Sequence, residues 1–196
     1  MNKPLNARPV IAIAGAPGSG KTLLLESLAA ALNCDTLQYD DYQKATEQSM
    51  EEMISWMKQG GDYNQLQVPG FAEAIAQQKS LNTETPLLIE TPLGRHHSTS
   101  GQFIDYLIWV DTPLDVALAR NIKAFIADFG ESPQAYHEQL GWLDNYLHIY
   151  IQDVRETLLV QKQRLSGSAD LCIDGSLPAN EVFDTAAHYI KQQIST

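Results

Sequence analysis

Eight residues near the amino terminus, Gly15, Ala16, Pro17, Gly18, Ser19, Gly20, Lys21 and Thr22, follow the apolar run VIAIA at 10 to 14 and precede LLLESLAAAL at 23 to 32. A glycine-rich turn between a strand and a helix lets successive backbone N–H groups converge on an anion at the positive end of that helix. Lys21 adds a cation that reaches the β and γ phosphates of a nucleoside triphosphate, and the Thr22 hydroxyl ligates Mg²⁺. The spacing fits G-x-x-x-x-G-K-[ST], which a chain of this composition matches by chance about 3 times in a thousand. The cofactors expected are ATP and Mg²⁺, with GTP an open alternative as donor.

A phosphate cradle alone does not distinguish a kinase from a motor or a switch, so carboxylates elsewhere have to decide. QYDDYQK brings Asp40 and Asp41 to the end of a second apolar segment. A carboxylate there accepts the proton of an attacking hydroxyl or holds the metal's waters. The same aspartates also suit a helix N-cap or a turn, a reading that fits Asp41 better than Asp40. Glu90 closes LLIETPLGR, where an acid ligates Mg²⁺ through water, or else stands as a solvated loop carboxylate. DTPLD at 111 to 115 reads as a helix start with Thr112 as cap. His96 and His97 read as solvated loop residues, and Trp142, Tyr146, Ile149 and Tyr150 as a core-facing helical stripe.

These groups need a scaffold that gathers them. Strand-like runs occur at 10 to 14, 35 to 39, 86 to 90, 105 to 110 and 169 to 174. Helical patterns lie at 21 to 32, about 49 to 59, about 70 to 79, 113 to 128, 134 to 165 and 179 to 193. Alternation of this kind predicts one α/β domain over residues 1 to 196, a three-layer sandwich of the P-loop NTPase type: a mainly parallel five-stranded sheet with helices on both faces. Ligands then bind outside the carboxyl ends of the strands, where every candidate above falls.

Composition narrows the partners. With 24 acidic and 13 basic side chains the formal net charge is -11, which repels a nucleic-acid backbone. No window is apolar and long enough to cross a bilayer, and the first residues lack the core of a signal peptide, so a cytoplasmic protein without membrane attachment is expected. Cys34 and Cys172 read as buried thiols, with no disulfide or zinc site implied. A homo-oligomer is open to it. Between Gln38 and Ile75 stand seven acids (Asp40, Asp41, Glu47, Glu51, Glu52, Asp62, Glu73) and two bases (Lys44, Lys58). A dianionic acceptor is disfavoured there unless Arg95 points inward; a neutral or cationic hydroxyl compound fits better. Tyr42, Trp56 and Tyr63 offer rings to sandwich a planar group, and Asp41 and Asp62 accept from sugar hydroxyls, although Trp56 serves equally as helix packing.

Taken together, GAPGSGKT, the DDY at 40 to 42, Trp56 with GDY at 61 to 63 and Pro69, ETPLGR at 90 to 95 and IDYLIWVDTPLDVALAR at 104 to 120 resemble the uridine kinase, phosphoribulokinase and pantothenate kinase group. The likeness is greatest to small bacterial uridine kinase-like proteins and nicotinamide riboside kinases. It implies Asp40 as general base, Glu90 as the metal-side acid, an acceptor-binding insertion over about 40 to 85 and a lid over about 118 to 135 that starts with Arg120. It also places Asp41, Tyr42 and Asp62 near the acceptor, and the loop from Asp174 to Leu177 against adenine. The lid departs from the pattern, offering only Arg120 and Lys123, with Asn121 and Ile126 where further arginines are usual. Since such an arginine is worth roughly 10³ to 10⁵ in rate, slow turnover is expected. The other reading is a nucleotide-dependent switch or slow ATPase that binds a protein partner.

Overall fold

The computed structural model describes residues 8–43, 50–127 and 133–194. The expected positions 44 to 49 of the insertion, with Lys44 and Glu47, and 128 to 132 of the lid lie outside the described residues. Five strands, β1 (Val10–Gly15), β2 (Thr36–Gln38), β3 (Leu87–Glu90), β4 (Tyr106–Asp111) and β5 (Leu171–Asp174), form one sheet in the order β2-β3-β1-β4-β5. Every adjacent pair is parallel, so each connection has to cross a face of the sheet. The helices among the described residues are α1 (Lys21–Leu32), α2 (Tyr39–Gln43), α3 (Met50–Lys58), α4 (Phe71–Lys79), α5 (Ser98–Gly101), α6 (Leu114–Ala127), α7 (Pro133–Ile149), α8 (Arg155–Ser166) and α9 (Ala179–Ile194).

The alternation of a strand sorts its side chains between two cores. Val10, Ala12 and Ala14 of β1 face a layer with Leu87 and Ile89, packed by Phe71 and Ile75 of α4 and Leu165 of α8. Ile11 and Ile13 face the other layer, with Leu24, Leu25 and Leu28 of α1 and Val182, Ala186, Ala187 and Ile190 of α9. The spacing of those apolar residues gives each helix one sheet-facing stripe. No helix among the described residues is long and apolar enough to cross a membrane.

Three local expectations are corrected. The thiols are not both buried: Cys34 is half-buried and Cys172, on the edge strand β5, is exposed. The long helix expected over 134 to 165 is divided by a π-helical turn, Tyr150–Val154. Tyr150 is buried there, but Trp142 and Tyr146 are only half-buried; Trp142 stacks on Phe125 of α6 and Tyr146 on Trp142, so the stripe meets α6 rather than the sheet. At the opposite end from the glycine turn, the buried Arg8 guanidinium donates to the Thr85 and Pro86 carbonyls and to Gln78, and pairs with Asp35. Its contacts join segments up to 78 positions apart, which is why no local pattern reveals it.

Candidate active site

The strand order reverses at β1, which is flanked by β3 and β4, and a crevice opens at the carboxyl ends there. The Gly15-to-Thr22 loop fills that position. Ser19 N–H donates to the Ala16 carbonyl at 3.0 Å, and Leu24 N–H to the Gly20 carbonyl at 3.0 Å opens α1. Gly18 (φ +79) and Gly20 (φ +94) take left-handed conformations, and a Cβ at Gly18 would overlap the Ala117 carbonyl of α6. The first N–H groups of α1 have no partners within the helix and converge on this turn.

Two residues that the sequence reading did not assign to the loop hold it from behind. Thr112, read there as a helix cap, instead donates its hydroxyl to the Ser19 carbonyl at 3.1 Å and is buried. Helix α6 begins two residues later, at Leu114. Gly175 lies against the same pair: a Cβ there would overlap Thr112 Oγ1 and stand 2.8 Å from Val110 Cγ1 and 3.3 Å from the Ser19 carbonyl. The one sequence signal for it is a glycine directly after the last strand.

Beside the loop is a cavity of about 480 Å³ lined by Gly15, Pro17, Gly18, Lys21, Thr22, Asp40 and Glu90. Parallel pairing explains the convergence, since Glu90 is in register with Ile13 of β1 and Gln38 of β2, and the turn after Gln38 delivers Asp40. Glu90 is 4% exposed. Its Oε1 pairs with Lys21 Nζ at 3.2 Å, while its Oε2 is buried without a partner, as is Ser19 Oγ. An unpaired carboxylate oxygen, a neighbouring threonine hydroxyl and a lysine beside an anion cradle fit a triphosphate with Mg²⁺. No three His, Cys, Asp or Glu side chains converge among the described residues, so phosphates and water would complete the metal's shell.

The remaining candidates divide. Trp56 and Tyr63 line the same cavity. Burial pushes the Tyr63 phenol up to about 12, with the Arg164 guanidinium opposing. Trp56 Nε1 is spent on the Asp62 carbonyl at 2.8 Å. Asp62 is exposed, and its carboxylate accepts from Asn64 N–H as the cap of a short turn. Tyr42 packs on Phe71 at 5.2 Å between ring centroids, and Asp41 is exposed on α2. Neither Tyr42, Asp41 nor Asp62 lines the cavity.

Arg95 does not point inward. Its guanidinium donates to the Asp105 and Ser168 carbonyls and pairs with Asp170, just before β4 and β5 begin, at the far end of the sheet. Arg120 lines a second cavity of about 460 Å³ with Ser19, Gly20, Leu23, Gly175 and Phe183, and donates to the Gly175 carbonyl at 2.8 Å. Lys123 is exposed and lines neither cavity. Asp174 lies outside the second cavity too, and its carboxylate accepts from Ser176 N–H and Oγ, bonds that hold it below the usual carboxylate value. Leu177 of the same loop does line it. His97, expected in solvent, is buried against Ser100, and desolvation lowers its pKa against a backbone bond with Leu66.

No protein-family model and no curated protein sequence matches the chain significantly. Solved structures do. The shikimate kinase of Acinetobacter baumannii in complex with shikimate superposes with a TM-score of 0.54 at 14% identity, covering 96% of this chain and 94% of that one. Shikimate kinase from Aquifex aeolicus gives 0.51 at 14% identity, covering 94% and 97%. The Bacteroides thetaiotaomicron enzyme gives 0.51 at 14%, covering 96% and 99%. The likeness is one of fold, and it extends over nearly the whole chain: this chain shares the three-layer α/β architecture of these shikimate kinases.

Proposed function

We propose that this protein transfers the γ-phosphoryl group of ATP to a hydroxyl of a small neutral or cationic metabolite. The observation that carries the reading is the shared cavity of Lys21, Thr22, Glu90 and Asp40, which continues past the phosphate loop to Trp56 and Tyr63. That continuation gives an acceptor somewhere to sit. The fold likeness to kinases, one of them holding shikimate, supports a small-molecule acceptor. The motifs at 40 to 42, 61 to 63 and 90 to 95 support the uridine kinase-like group and a nucleoside-like compound.

In this reading backbone N–H groups and Lys21 hold the phosphates, and Asp40 takes the proton of the attacking hydroxyl. Bound Mg²⁺ would sit near Thr22 and Glu90 and neutralise charge on the phosphates. Lys21 would trade its contact with Glu90 for phosphate oxygens, and Arg120 and Lys123 would act from the lid helix. Catalysis is then positioning and charge stabilisation. One observation favours a switch or slow ATPase as second reading: the lid's Arg120 is engaged on the Gly175 carbonyl beside the second cavity.

Asp40→Asn separates the two. Acceptor-dependent ADP release should fall by about 10² to 10⁴ with ATP binding retained. Equal acceptor-dependent rates in parent and variant would remove Asp40 from the reaction and leave the switch as the better reading.

A further inference from the structure

Beyond the reacting end of the cavity one polar atom is unaccounted for. Gln161, on α8, lines the cavity and is 8% exposed. Its Nε2 donates to the Pro92 carbonyl at 2.8 Å. A carbonyl only accepts, so the orientation of the amide is fixed by its partner and the oxygen is the remaining pole. That Oε1 is buried and has no hydrogen-bond partner.

Several neighbouring donors are engaged elsewhere. Trp56 Nε1 donates to the Asp62 carbonyl, Thr157 Oγ1 to the Asp153 carbonyl, Asn121 Nδ2 to Tyr146 Oη, and Lys21 pairs with Glu90. Buried acceptors without donors are rare because the desolvation is not repaid. A binding site has reason to keep one, since the ligand brings the donor and an analogue lacking it is rejected.

We propose that Gln161 is a specificity residue that reads a hydroxyl or N–H donor on the acceptor molecule, away from the hydroxyl that is phosphorylated. The proposal deepens the kinase reading and rests on its placement of the acceptor in this cavity. It also defines the class of compound. The cavity presents an amide oxygen with Asp40 and Glu90, against Lys21 as the one lysine or arginine among its described lining residues. A carboxylate or phosphate placed against the Gln161 oxygen would set acceptor against acceptor, whereas a neutral or cationic compound with at least two donor groups satisfies both ends.

The test is calorimetric binding, in the presence of a non-hydrolysable ATP analogue, of uridine, adenosine, D-ribose and D-glucose with their monodeoxy forms, and of shikimate and D-gluconate as anions. For the parent, one neutral compound should bind and one of its deoxy forms should bind about 10- to 100-fold more weakly. In Gln161→Met or, should that fail to fold, Gln161→Asn, the pair should bind alike while the affinity for the nucleotide is kept.

A parental hydroxyl-to-deoxy ratio in a folded variant overturns the proposal. So does a parent that prefers the anions, or one that binds no compound of the neutral series at millimolar concentration. Binding that follows Gln161 without any acceptor-dependent ADP release would retain this inference and reject the kinase reading.

Discussion

Replacing Gly175 by alanine tests whether the far side of the phosphate loop is held by the end of β5. The added methyl overlaps Thr112 Oγ1 and comes within 2.8 Å of Val110 Cγ1, so the threonine has to move. Its hydrogen bond to the Ser19 carbonyl at 3.1 Å goes with it. The backbone cannot easily yield, because Gly175 N–H donates to the Asp111 carbonyl at 3.0 Å and its carbonyl accepts from Arg120 at 2.8 Å. Overpacking costs about 1–3 kcal/mol and the lost buried hydrogen bond about 1 kcal/mol, together roughly 2–4 kcal/mol. For a domain of this size that lowers Tm by about 5–15 °C. A shift of the loop by a fraction of an ångström should also weaken ATP binding, since its amides must stay aimed at the phosphates. Urea denaturation and ATP titration of Gly175→Ala, Thr112→Ala and the double variant give the cycle. Removing the hydroxyl makes room for the methyl, so the double variant should be more stable than the sum of the singles by about 1 kcal/mol. Parental stability and ATP affinity in Gly175→Ala, or strict additivity, would refute the reasoning.

Lys21→Met should abolish tight ATP binding and, by leaving the buried Glu90 carboxylate uncompensated, cost about 3–5 kcal/mol; adding Glu90→Gln should restore stability by urea denaturation but not ATP binding. Arg8→Met strips the Thr85 and Pro86 carbonyls of their donor and should cost about 2–4 kcal/mol, read as a lower urea midpoint with nucleotide affinity, measured below the transition, unchanged. The folded-state pKa of His97 is lowered by desolvation, so its contribution to stability is present above the unfolded value of about 6.5 and is lost as pH falls towards the folded value. Urea midpoints measured at descending pH should therefore decline in the parent, and His97→Asn should flatten that part of the profile.

The sheet, its five strands and most of the longer helices followed from local information: apolar runs too short for helices, 3.6-residue stripes between them, and glycine where a strand had to turn into a helix. The loop from Gly15 to Thr22 was legible for the same reason, because its chemistry lies within eight consecutive residues. Glu90 and Asp40 were readable as the acids of strand ends. That they line one cavity is the work of parallel register, in which Glu90 pairs with Ile13 and Gln38 across three strands.

What tertiary packing alone decided concerns residues whose partners are remote. Arg95 looked available as a charged loop residue, yet the carbonyls before β4 and β5 lie within its reach and take its donors. Tyr42 and Asp62 carried the right chemistry but serve a ring contact and a turn cap. Thr112 and Gln161, a cap-like threonine and one glutamine in a polar helix, carried no local signal of these roles, and Gly175 only its place directly after the last strand. Their meaning comes from contacts to Ser19 and Pro92 across separations of 93 and 69 residues for the two side chains that bond there. Periodicity and propensity report a residue's neighbours along the chain; a hydrogen bond across the fold depends on where the sheet and its crossing helices bring the two ends.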